Sequence, residues 1–208
     1  MDAQIFWNII GNYNEQTIIV QICLFIFLIF AIVISYVQRI KWLAKFALGI
    51  ANLYIAIFFF ALYGTEPVQK YFALPLFLLC GLLFLYESWH KQDDVLRKPD
   101  LVQGILLALY LLYPFVSLLL GNSFPQMVTY IMPCPVASLS IAVYSGYQKK
   151  NKLLLALLTI WGLTGIKSLI FNAYEDIILL VCGLYGVVFL FKEIRVHRKE
   201  ADDKSVGR

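Results

Sequence analysis

Charge is what this sequence has least of. Asp, Glu, Lys and Arg make up 14% of its 208 residues, where a soluble domain of this size carries about 25%. Its 2 histidines, His90 and His197, fall in separate polar stretches, too far apart to suggest a shared site. No His-Glu-x-x-His, Gly-x-Ser-x-Gly or glycine-rich phosphate loop occurs, so the sequence points to no enzyme and no cofactor. The 4 cysteines, Cys23, Cys80, Cys134 and Cys182, all lie inside apolar runs. That placement excludes a disulfide framework and a zinc-type cysteine pair. Cys23, Cys134 and Cys182 fall at a similar depth if the chain crosses a bilayer, but cysteine is also a common small apolar filler, and no metal is assigned. The opening residues, MDAQIFWNIIGNYNEQ, lack a basic region and a small-residue cleavage site, so the N-terminus is expected to be retained.

What the chain has instead is apolar length. Hydrophobic residues make up 61% of it, and the mean hydropathy is +0.77. A hydrocarbon core of about 30 Å takes roughly 20 apolar residues of helix. Seven runs qualify, at 17–38, 43–63, 68–88, 101–121, 126–147, 152–171 and 175–192. The expectation is an all-α, polytopic bundle of seven transmembrane helices in one domain over residues 1–195, followed by a charged tail, 196–208. Ahead of the first run, IFWNIIGNYNE is too short to span. Segment 3–14 is expected to lie along the interface, anchored by Trp7.

The few charges are sorted by side. All but Lys70 and Lys167 of the 17 lysines and arginines fall in alternate loops or the tail. Arg39, Lys41 and Lys45 follow the first run, Lys91, Arg97 and Lys98 the third, and Lys149, Lys150 and Lys152 the fifth. By the positive-inside rule this puts the N-terminus outside and the C-terminus in the cytoplasm. The other face is acidic, with Asp2, Glu15, Glu66, Glu175 and Asp176. The net charge of +4 therefore marks topology and implies no nucleic acid; the partner implied is the lipid bilayer. Two echoes, SYVQRIKWLAKFALGI with SGYQKKNKLLLALLTI and LCGLLFLYE with VCGLYGVVFLFKE, are compatible with parallel halves in a 3+1+3 plan.

The most specific local signal is Pro133–Cys134–Pro135, within TYIMPCPVASLSIAVYSGY. Two prolines in one turn predict a kink or unwound turn deep in the fifth span. Irregular backbone at membrane depth persists only when enclosed by protein or lining a wet cavity. The small residues that follow, Ala137, Ser138, Ser140 and Ala142, allow close helix approach, so the fifth helix is expected at the centre. Glu15 and Gln21 flank the start of the first span, Lys167 lies about one turn inside the end of the sixth, and Glu175–Asp176 opens the seventh. An ionisable group in a span is usually paired or functional. Lys167 is expected either to pair with Glu15, Glu175 or Asp176, with Asn14 and Asn172 as amide donors, or to snorkel to headgroups. The candidate ligand-binding set is Glu15, Gln21, Pro133, Cys134, Pro135, Lys167, Glu175 and Asp176, around an outward-facing vestibule for a small solute or cation.

FWNIIGNYNE, NSFPQMVTYIMPCPVASLSIAVYS and YEDIILLVCGLYGV, in that order, resemble the bacterial membrane-protein group known as the domain-of-unknown-function 6064 family. The resemblance covers nearly the whole chain. It rests most on Phe6–Trp7, Tyr13–Asn14–Glu15, Pro133–Cys134–Pro135 and Glu175–Asp176. Lys167 departs from the small or apolar residue that the resemblance implies at its position. A multi-pass protein of the bacterial inner membrane is implied, and no activity is. The functional expectation is a small-solute or ion transporter or channel with a site near the broken fifth helix. The alternative is a non-transporting scaffold or sensor subunit. A cavity reaching Cys134 favours the first, and a dry, packed fifth helix the second. Substrate, coupling ion and oligomeric state are not written in the sequence.

Overall fold

The computed structural model describes the backbone of residues 3–38, 40–168 and 173–206, and side chains as far as Arg195. Asp2, Arg39, Asn172 and the charged side chains of the tail lie outside the described residues. Seven helices and no strand are present among those described: α1 Ala3–Val37, α2 Trp42–Tyr54, α3 Leu74–His90, α4 Leu101–Leu119, α5 Pro133–Tyr144, α6 Lys152–Leu163 and α7 Ile177–Val206. Five of the helical stretches are long and apolar enough to cross a membrane: Gln4–Val37, Trp42–Tyr63, Gln69–His90, Leu101–Leu119 and Tyr174–Arg195. Their outer faces carry exposed apolar side chains, such as Ile26 and Phe30 on α1, Phe115 on α4 and Val188 on α7. Such a belt is compatible with a bilayer.

The helices depart from the predicted runs in three places. Segment 3–14 is not separate; it forms the first three turns of α1, which is 35 residues long. Nothing in IFWNIIGNYNEQ breaks a helix: it holds no proline, and one interior glycine costs only about 1 kcal/mol. At the predicted 126–147, helix begins only at Pro133, and α5 is 12 residues long, about 18 Å at 1.5 Å per residue. The third departure is π-helical winding. α2 continues as a π-helix over Ile55–Tyr63, and a second π segment, Gln69–Ala73, leads into α3. α6 ends in a 3₁₀ turn, Thr164–Lys167, and another, Tyr174–Asp176, precedes α7.

Consecutive helices run antiparallel, so the molecule has two ends, here called the basic face and the cavity face. α2 packs along α3, and α6 along α7. Small residues set the second crossing: a Cβ on Gly162 would meet the Gly183 Cα at 2.6 Å, so the two backbones touch there. α5 lies in the middle, with every residue of Pro133–Tyr144 buried except Cys134. α4 starts with a capping box, the Asp100 side chain accepting from Gln103 N at 2.8 Å and Gln103 Oε1 from Asp100 N at 3.2 Å, which satisfies two otherwise orphaned donors.

Candidate functional site

After α4 the chain turns at Gly121, whose φ is 92°, a left-handed conformation that suits glycine. It then returns into the bundle without helix as far as Met132. The carbonyls that a helix would have used are taken by α1. Asn14 Nδ2 donates to the Pro125 carbonyl at 2.7 Å and the Met127 carbonyl at 2.9 Å, and Tyr13 donates to the Ile131 carbonyl at 2.6 Å. Gln21 braces Asn14: its Nε2 donates to Asn14 Oδ1 at 3.1 Å and its Oε1 accepts from Thr129 at 2.6 Å. Tyr13, Asn14 and Gln21 are all buried. Backbone that leaves the helix here is thus paired with side chains of α1, as buried polar groups require.

The two prolines neither kink nor unwind a helix; they begin one. The first N–H groups of a helix have no partner within it, so proline is tolerated in the first turn. Pro133 and Pro135 carry no N–H, and Val136 N already donates to the Met132 carbonyl at 3.0 Å. Of the first three residues of α5 only Cys134 therefore has a donor to orphan. A helix start that would be costly inside an apolar bundle becomes tolerable.

In front of this start lies a cavity of about 300 Å³. Pro133, Cys134 and Pro135 line it, with Phe59 and Phe60 from the first π segment, Phe72 from the second and Trp161 from α6. The rings of Phe60 and Phe77 meet Trp161 edge-on, with centroids 5.7 and 5.0 Å away. Both π segments thus flank the cavity, a common position for such winding near functional sites. Polar groups are few: Glu66, Gln69, Thr164, Lys167, Ser168 and Asp176. The indole N–H of Trp161 and the hydroxyl of Ser168 are buried without a hydrogen-bond partner among the described residues.

The acidic pair that opens the last span divides its work. Asp176 lines the cavity and is 9% exposed; Tyr113 donates to its Oδ1 at a long 3.3 Å, and the Cys134 thiol lies within its hydrogen-bonding reach. Glu175 turns away, toward the end of α4. Its Oε1 accepts from Ser117 at 2.8 Å and from Asn122 at 3.3 Å, and its Oε2 is buried with no partner. Ser117 also accepts from Val128 N at 3.1 Å, so this network ties α4, the returning segment and the start of α7 together.

Of the eight predicted site residues, Pro133, Cys134, Pro135, Lys167 and Asp176 converge on the cavity. Gln21 and Glu175 serve the adjoining networks, and neither lines it. Glu15 does not face Asp176 or Lys167 as expected; it is exposed in a separate shallow groove with Asn8, Asn12 and Gln126. Lys167 is exposed at the mouth and makes no ion pair among the described residues. Cys23 is exposed and Cys182 buried, so the three thiols do not gather. The aromatic walls escaped sequence reading, for which the only cue was the run of rings in IAIFFFALY.

A second constellation, at the basic face, was also missed. Lys45 was read as a loop charge, yet its side chain is 0% exposed. Its Nζ lies 2.6 Å from Asp94 Oδ2 and 3.0 Å from Glu87 Oε2. Lys91 reaches Glu87 Oε1 at 2.5 Å, Tyr144 donates to Glu87 Oε2 at 3.0 Å, and Lys149 N donates to Asp94 Oδ1 at 3.0 Å. The ring of Tyr147 lies 4.2 Å from the Lys45 ammonium, and its hydroxyl donates to the Lys41 carbonyl. Every carboxylate oxygen in the cluster has a donor.

Fold and cavity together define a class: an all-helical bundle, compatible with a membrane protein, that holds a small apolar pocket at the start of a buried short helix. The chain belongs to a family of unknown function, DUF6064, whose description matches residues 3–201. No curated protein and no solved structure matches it.

Proposed function

We propose that this chain is a membrane-embedded transporter or channel for a small solute, which binds in the cavity at the start of α5. The observation that carries the reading is that cavity: concave, walled by aromatic rings, and furnished with few polar groups, as ligand sites are. A short helix starting in mid-bundle beside it is the arrangement through which many carriers offer backbone to a substrate. In this reading the mouth faces outward from a bacterial inner membrane and the C-terminus lies in the cytoplasm, which the sorting of the basic residues supports by the positive-inside rule. The 3+1+3 plan is supported by the two Cys–Gly pairs. Cys80 and Cys182 are each fully buried, while Gly81 and Gly183 each press against the preceding helix.

A sensor or scaffold subunit is the second reading. Its support is the sealed ionic cluster at the basic face, which an alternating-access cycle would have to open. Purified protein screened by thermal shift against chemically sorted small solutes, then tested for counterflow in proteoliposomes, decides between them. The transporter reading expects a stabilising solute class that also exchanges across the bilayer. Stabilisation without exchange favours the sensor; no stabilising class and no exchange reject the cavity as a solute site.

A further inference from the structure

We infer that the cavity at the start of α5 takes a small organic cation, an alkylammonium whose charged nitrogen sits between Asp176 and the aromatic walls. The inference rests on reading this cavity as a solute site and adds the class of solute. Size comes first. About 300 Å³ is at the low end of the range of ligand pockets, roughly 300–1,000 Å³, so the ligand is a small molecule.

Charge comes next. An ionised carboxylate offers about four lone-pair sites, and among the described residues Asp176 accepts one side-chain hydrogen bond, from the Tyr113 hydroxyl at 3.3 Å. A carboxylate buried to this degree calls for a countercharge, and among the described residues no lysine or arginine supplies one. Lys167 lines the mouth but is exposed and unpaired with Asp176, and Glu66 lines the same cavity with the opposite sign. With Asp176 ionised, these three groups leave the cavity one negative charge in excess.

The walls agree with the charge. Phe59, Phe60, Phe72 and Trp161 line the cavity, and aromatic rings attract a cation that lies over them within about 6 Å. The start of α5 itself offers an anion little, because Pro133 and Pro135 remove two of the backbone donors that make a helix start an anion site. The prolines that let α5 begin in the bundle also blunt it toward anions.

Cys134 lines the cavity and supplies the readout. Full-length protein carrying Cys23→Ala, which removes the exposed thiol, is reconstituted and treated with the trimethylammonioethyl or the sulfonatoethyl methanethiosulfonate. Modification of the Cys134 peptide is followed by mass spectrometry. With each rate taken relative to that reagent's rate with a free small thiol, the cationic reagent is expected to react at least tenfold faster. Choline is expected to protect Cys134, and its neutral isostere 3,3-dimethylbutan-1-ol to protect at least tenfold less well. Phe72→Leu is expected to weaken choline protection several-fold without touching the carboxylate, and Asp176→Asn to abolish the charge preference. Equal protection by the neutral isostere, or faster reaction of the sulfonate, overturns the cation assignment while leaving a solute cavity in place. A Cys134 that neither reagent reaches until the protein is unfolded overturns the cavity reading as well. The wild-type comparisons decide alone should Asp176→Asn fail to fold.

Discussion

The two ends of this bundle bury acidic groups in opposite ways. At the basic face, Glu87 and Asp94 are met by Lys45, Lys91, a tyrosine hydroxyl and a backbone N–H, so that no oxygen lacks a donor. At the cavity face, among the described residues, Glu175 keeps one oxygen without a partner and Asp176 borders the cavity. Burial of charge alone therefore does not mark a site. A closed set of charges holds helices together, whereas an acceptor that the protein leaves unanswered is available to something else.

The comparison breaks most sharply at Lys45. Lys45→Met strands two buried carboxylates, and removing one partner of a buried ion pair costs about 3–5 kcal/mol. Equilibrium unfolding in detergent should show a loss of that order, and Lys45→Met combined with Glu87→Gln should recover part of it. A loss near zero would mean that the cluster is wet and loose, and the contrast between the two ends would collapse.

Asn14→Leu comes second. It deprives the Pro125 and Met127 carbonyls of their donor, and an unsatisfied buried group costs about 1–3 kcal/mol. A destabilisation of about 2–3 kcal/mol is expected, together with changed reactivity of Cys134, because the segment that feeds α5 loses its bracket. Unchanged stability and unchanged Cys134 reactivity would show that the carbonyls find other donors.

Asp176→Asn should go the other way. The amide keeps the shape and the Tyr113 contact, and it removes a buried carboxyl group that no lysine or arginine among the described residues meets. Stability should hold or rise by up to about 1 kcal/mol, where the equally conservative Glu87→Gln should lose stability by taking from Lys45 one of its two carboxylates and from Lys91 its ion-pair partner. Equal losses at both positions would mean that Asp176 is as structurally committed as Glu87.

These contrasts also show what could be read in advance. Hydropathy is a local property, so the apolar runs, the helical class and Pro133–Cys134–Pro135 were legible. What the prolines do was not, because the donors that make a non-helical 122–132 tolerable are Tyr13 and Asn14, more than a hundred residues earlier. Lys45 and Lys41 look alike in sequence; only the fold brings Glu87 and Asp94 to one of them. The π winding, which turns rings from two segments toward one space, left no periodic signature to find.

The smallest effect is expected at Glu15, and it sharpens the comparison by its absence. Sequence reading grouped Glu15 with Glu175 and Asp176, because all three sit at helix starts on one face. Sharing a face is not sharing a pocket. Glu15 is exposed, in a groove with Asn8, Asn12 and Gln126, where water can solvate its carboxylate whichever partner it meets. α1 turns Asn14 inward toward the Pro125 and Met127 carbonyls, and its neighbour one position on, about 100° around the helix, points elsewhere. Glu15→Gln should therefore leave the Cys134 modification rate, its charge preference and protection by choline within about twofold of the parent protein, as surface substitutions away from packed features usually do. A tenfold change in choline protection would put Glu15 back at the mouth of the cavity and make the groove beside it the way in.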